Sequence, residues 1–240
     1  ADSSTNINYA QPMVTWNWKE SATAGFDIVA YTGNGAARTI SHSLGVVPEL
    51  IIIKGRDVVE DWLVGSVQQG LGTGRMYLST NAATSGSYAA SLWNSTAATS
   101  SVFSVGDSAV VNTNTKLYIA YLFANIDGFS KISSYKGNGA AAGPFIYTGF
   151  KPKFVIAKNM DLTDDWEIYD AEMNPYNYLD LGLKPNTSAA QYALYTNNRA
   201  WDFLSNGFKV RGSNAGINTS GDNILYIAFA ESPFKYSNAR

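Results

Sequence analysis

The chain has 240 residues, of which 45% are apolar, 13% aromatic and only 15% charged, with a formal net charge of −2. That mixture describes a folded, β-leaning chain and argues against disorder, and the lack of any basic run argues against a grip on nucleic-acid phosphates. There is no Cys, which removes disulfides, thiolate nucleophiles and Cys-based zinc sites, and no apolar stretch approaches the length that spans a bilayer.

In chain order, the first element is an aromatic, alternating segment, Met13-Val14-Thr15-Trp16-Asn17-Trp18-Lys19. It reads as an orphaned closing strand laid beside the first domain, covering an open sheet edge. From Tyr31 to Ser66 runs a block that returns without a gap from Tyr135 to Asp170. Adding 104 carries Gly33-Asn34-Gly35 onto Gly137-Asn138-Gly139, Gly45 onto Gly149, Pro48 onto Pro152, Lys54 onto Lys158 and Asp61-Trp62 onto Asp165-Trp166. Gly25-Phe26 and Gly128-Phe129 precede the two copies, and Leu117–Tyr121 and Leu225–Phe229 close them. A period of roughly 105 residues is too long for a solenoid unit and long enough for a domain with its own core.

The expected fold is therefore all-β: two tandem homologous β-sandwich domains of jelly-roll type, residues 25–127 and 128–240, preceded by an N-terminal segment, 1–24, that carries the orphan strand. The join around residues 124–128 is too short for a flexible linker, so the domains touch. Strands are read at Leu50–Lys54, Phe154–Lys158, Tyr118–Phe123 and Ile224–Ala230, with Gly, Asn, Pro and Ser between them. Trp62/Val64 and Trp166/Ile168 alternate as a buried strand face, which places both tryptophans in equivalent cores. A short helix is read around Ser188–Leu194.

Chemistry-bearing residues are sparse. His42 is the one histidine; its twin is Ile146, and it reads as a polar residue at a strand end. Asp161, Asp164 and Asp165, matched by Asp57, Glu60 and Asp61, invite either calcium through oxygen ligands or a glycosidase carboxylate pair, but a polar loop without an EF-hand pattern reads as a solvated turn. No cofactor is expected. The Gly-Asn-Gly motifs lack the residues that cradle phosphate and read as hairpin turns. Aromatic side chains outside the duplicated strands are the better lead for ligand contact: Trp93, Trp201, and Tyr176 and Tyr178 after Pro175, each of which core packing would equally explain.

The run from Gly25-Phe26 through Tyr31-Thr32-Gly33-Asn34-Gly35 to Leu44–Lys54, with the stretches 143–150, 202–209 and 230–240, resembles a β-rich repeat of tail, fibre and other virion proteins of marine tailed bacteriophages, including cyanophages. The resemblance covers almost the whole chain and brings no catalytic motif. It implies a setting on the surface of the phage particle; joined to the absence of a triad and the surplus of loop aromatics, it leads to a non-enzymatic, tail-fibre-like component, with Trp93, Tyr176 or Trp201 as the expected contacts with host glycans. A homo-oligomer is expected too, a trimer if the chain forms a fibre, among other virion proteins, while the charge and the short apolar runs already argue against a nucleic-acid partner and membrane insertion. The alternative is a purely structural capsid-decorating or fibre-forming subunit; a glycan depolymerase is the third reading.

Overall fold

A computed structural model describes residues 15–232. The first half holds β1 (Phe26–Thr32), β2 (Arg38–Ser41), β3 (Leu50–Gly55), β4 (Leu63–Ser66), β5 (Met76–Tyr77), β6 (Val102–Val105) and β7 (Leu117–Phe123), with one-turn helices α1 (Ala89–Trp93) and α2 (Ala109–Asn112). The second half holds β8 (Ser130–Lys136), β9 (Phe145–Tyr147), β10 (Pro152–Asn159), β11 (Glu167–Asp170), β12 (Leu181–Leu183), β13 (Tyr192–Ala193), β14 (Trp201–Leu204), β15 (Gly207–Val210) and β16 (Asn223–Ala230), with α3 (Ala215–Asn218) before the last strand.

Four antiparallel sheets result. β1-β7-β3-β4-β5 faces the pair β2-β6 in the first half, and β13-β12-β11-β10-β16-β8 faces β14-β15-β9 in the second. The register repeats as well as the order. Phe26 pairs with Phe123 and Leu50 with Phe123 in one half, as Ser130 pairs with Phe229 and Phe154 with Phe229 in the other. Each half encloses its own core: one cluster draws on residues between Ile40 and Ala124, the other on residues between Tyr135 and Ala228.

A third core explains the apolar runs. The two larger sheets turn their remaining faces toward each other, so that Leu50, Val64, Met76 and Phe123 meet Phe154, Trp166, Ile168, Leu225, Ile227 and Phe229. Along β3, Ile51 and Ile53 enter the first half's own core while Leu50 and Ile52 enter this seam; along β16, Ile224, Tyr226 and Ala228 point one way and Leu225, Ile227 and Phe229 the other. A strand buried on both faces has no reason to alternate apolar with polar. Polar contacts cross the seam too: the Trp166 indole N–H donates to the Tyr77 carbonyl at 2.9 Å and the Thr84 N–H to the Met160 carbonyl at 2.7 Å. The connection from β7 to β8 is tied down, with the Ser130 hydroxyl donating to the Ala124 carbonyl and the Ile132 N–H donating to the Asn125 side chain.

Two expectations are corrected here. Of the aromatic segment at 13–19, residues 13 and 14 lie outside the described residues, and residues 15–20 join no sheet. Trp16 and Trp18 instead insert their rings into the seam, with centroids 5.1 and 5.8 Å from Phe154, and the Trp16 indole donates to Asp170 at 2.8 Å. The alternation reflects an extended segment with its tryptophans turned inward, and side-chain packing rather than a ladder holds it. Residues 188–194 form no helix: Tyr192–Ala193 pair with β12, and only a single 3-10 turn, Tyr195–Asn197, follows.

Candidate contact surface and buried ionic cluster

The duplicated polar residues serve the scaffold. β1 and β2 lie in different sheets, as do β8 and β9, so the Gly-Asn-Gly motifs are crossings between sheets and not the expected hairpin turns. At the first crossing the buried Asn112 amide donates to the Gly106 and Ala36 carbonyls, both at 2.7 Å, and its oxygen accepts the Asn34 N–H at 3.0 Å. Asn218 repeats this with Gly212, Ala140 and Asn138. A Cβ at Gly33 or Gly137 would fall 2.1 Å from the carbonyl of Thr113 or Thr219, which is why glycine opens the motif. Asp57 accepts the Leu117 N–H at the start of β7, and Asp161 accepts the Asn223 N–H at the start of β16. His42 is similarly occupied, its ring nitrogens facing the Thr99 carbonyl and the Leu44 N–H.

Where the halves differ, the second acquires charge. The buried Leu63 of β4 is matched by Glu167, which is 1% exposed. Arg199 donates to one Glu167 oxygen and Tyr192 to the other, and the second guanidinium nitrogen of Arg199 reaches Asp164 at 2.7 Å. Asp165 turns away to Lys184 at 2.9 Å and to the Asn186 amide at 2.7 Å. Asp161, Asp164 and Asp165 are thus each directed at a different donor and do not converge on a common point, as calcium ligation would need. Gly216 of α3 gives the cluster room, since a Cβ there would lie 2.0 Å from an Asp164 oxygen.

Burial pushes the Glu167 carboxyl up to about 7 against the pull of Arg199 and the Tyr192 hydroxyl. Burial likewise pushes the Lys158 ammonium down to about 8, opposed by Asp164 and Asp165, while its Nζ donates to the Asn159 and Leu162 carbonyls at 2.6 and 3.0 Å. A carboxyl near 7 is what a general acid needs, but one with both oxygens bonded and almost no accessible surface acts as an internal strut.

Two of the three predicted ligand-contact residues are core residues. Trp93 is 1% exposed: its ring covers Gly65 of β4, where a Cβ would lie 2.6 Å from the indole, and its N–H donates to the Gly74 carbonyl at 3.0 Å. Trp201 is fully buried, stacked between Tyr169 at 4.0 Å and Phe208 at 4.3 Å. Gly65 and Tyr169 are twins, so the same position makes way for an indole in one half and stacks on one in the other. Neither ring can meet a solute. Trp62 is corrected in the opposite sense: Trp166 is buried as expected, though in the seam and not in its own half's core, but Trp62 is 36% exposed, because the seam covers its twin with β5 and leaves Trp62 at the edge.

Tyr176 stands out in solvent, 83% exposed, beside a cavity of about 180 Å³ bordered by Lys151, Lys153, Glu172 and Glu231. Its loop is held firmly. Asn174 accepts the Asp180 and Leu181 N–H groups, and Asn177 exchanges two hydrogen bonds with the Phe203 backbone in β14. Tyr178, also exposed, stacks on exposed Tyr195 at 4.6 Å. Tyr195 carried no signal in the sequence, because only the fold of the 3-10 turn brings it to Tyr178. The structure thus brings together Tyr178 and Tyr195 near the Tyr176 loop, and sends Trp93 and Trp201 into separate cores.

No curated protein matches the chain. Among solved structures it is similar to one described as "Crystal Structure of the STIV MCP", at 11% identity, over 85% of each chain and with a TM-score of 0.22, too low a score to support an argument about fold or function. A family model matches residues 1–233, and the chain belongs to that family, described as a domain of unknown function, DUF7483.

Proposed function

We propose that this protein is a non-enzymatic structural subunit of a bacteriophage virion, displayed on the particle and assembled as a homo-oligomer, a trimer if it forms a fibre. The observation that carries this reading is how the duplicated residues are used. The Gly-Asn-Gly crossings, the paired aspartates and the apolar faces of β3, β7, β10 and β16 all build a four-layer body, as a shell or appendage component requires. The resemblance of the two copies to virion repeats supplies the setting. A second reading, host-glycan contact, is favoured by the exposed and well-anchored Tyr176, Tyr178 and Tyr195, since aromatic faces suit sugar rings.

Mass spectrometry and antibody-gold labelling of purified particles test the assignment: the chain is expected as a regular surface component. Particles that lack it, or that carry it only as an internal protein, refute the proposal. Adsorption of particles carrying Tyr176→Ala, Tyr178→Ala and Tyr195→Ala then tests host contact, and unchanged adsorption leaves the structural role alone.

A further inference from the structure

We infer that the seam between the halves holds a binding site for a neutral saccharide, with Trp62 as its platform. A cavity of about 450 Å³ opens there, lined by Trp62, Leu78 and Ser79 from the first half and by residues 185–188 from the second. That volume lies in the range of small-ligand pockets. Every lining side chain is uncharged: one indole, two aliphatic groups, and hydroxyls and an amide from Ser79, Asn186, Thr187 and Ser188. An amphipathic, neutral lining of this kind matches a pyranose, which offers a C–H face to an aromatic ring and hydroxyls to its rim.

The walls are preorganised. The Ser79 hydroxyl donates to Asp61 at 2.8 Å and accepts the Trp62 backbone N–H, while the Asn186 side chain accepts the Trp166 backbone N–H at 3.0 Å and donates to Asp165. The Trp62 ring runs nearly parallel to Tyr121, at 13°, with centroids 6.5 Å apart. The comparison of twins makes the exposure informative. Trp166, at the matched position, is buried and hydrogen-bonded to the opposite half, so the scaffold's own use for this tryptophan is to close the seam, and Trp62 does not do so. A large aromatic left partly open on a fixed frame beside a cavity is a contact residue by its chemistry. The site shares no lining residue with the Tyr176 surface and does not rest on the virion assignment.

The test is saturation-transfer NMR on the full chain with glucose, galactose, N-acetylglucosamine, lactose and maltose at concentrations up to about 50 mM, where weak single sites fill. At least one sugar is expected to give saturable transfer, weakened at least about tenfold in Trp62→Ala, as loss of a dominant contact residue does. Ser188→Arg, which fills the cavity from the opposite wall, should abolish the signal as well and covers the case in which Trp62→Ala disturbs the fold. Tyr176→Ala should leave it intact. No saturable transfer with any of the five sugars overturns the inference, as does binding that survives both seam variants or is lost only in Tyr176→Ala.

Discussion

Replacing Asn112 or Asn218 by Ala isolates the duplicated clasp. Each substitution removes three donated amide bonds, two to backbone carbonyls and one to the side-chain oxygen of Asn34 or Asn138, and one accepted N–H, and in each the inner carbonyl, Gly106 or Gly212, is buried while the outer partners, Ala36 and Asn34 or Ala140 and Asn138, are exposed. The outer groups regain water and forfeit about 1 kcal/mol between them, whereas an inner carbonyl left empty costs about 1–3 kcal/mol, so each variant should lose about 2–4 kcal/mol. Asn→Asp at either site should be worse than Ala at neutral pH, because it sets an anion against two carbonyl oxygens in place of their donors. Urea unfolding followed by tryptophan fluorescence measures both effects. A loss below about 1 kcal/mol, well under the bonds removed, or an Asp variant milder than the Ala variant, would show that the amide is not what locks the crossing.

Trp93→Ala and Trp201→Ala should each destabilise by about 3–5 kcal/mol as core truncations, whereas Tyr176→Ala should stay within about 0.5 kcal/mol of the parent; calorimetry separates the two classes. Glu167 has a folded-state pKa of about 7, above its ordinary 4.5, so the folded chain holds this proton more tightly than the unfolded chain does. Its contribution to stability is therefore full below about pH 4.5 and fades as pH rises through 7. The melting-temperature difference between the parent and Glu167→Gln should decline across that window, and a difference that grows with pH contradicts the assigned direction. Trp16→Ala and Trp18→Ala should lower the melting temperature by withdrawing rings from Phe154 and, for Trp16, the bond to Asp170; unchanged melting would make the segment a dispensable tail.

The strands that were plainest in the sequence are those that the seam buries twice. β3, β7, β10 and β16 carry unbroken apolar runs, and two-sided burial produces such runs wherever it occurs. The duplication also announced the close-approach glycines and the paired aspartates, though not their partners, because Asn112 and Asn218 sit 106 residues apart inside unremarkable helical turns. Trp93 and Trp201 were misread because their flanking segments differ between copies. Divergence in sequence says nothing about burial when a small helix folds back over Gly65 or a strand lies across Tyr169. The ionic cluster left one faint trace, a glutamate where the twin has leucine. Arg199 reaches it from a loop, Tyr192 from β13 and Gly216 from α3, and no local pattern joins them.

A single copy of this repeat, folded alone, would show solvent one whole apolar sheet face and would find relief by pairing with another molecule. In this chain that encounter is covalently arranged: the short, hydrogen-bonded passage from β7 to β8 keeps the second face beside the first at an effective concentration on the order of millimolar or more. An association that would otherwise fade on dilution becomes a property of one polypeptide, so the seam should persist at any protein concentration. The smaller sheets, β2-β6 and β14-β15-β9, are then the ones turned away from the seam.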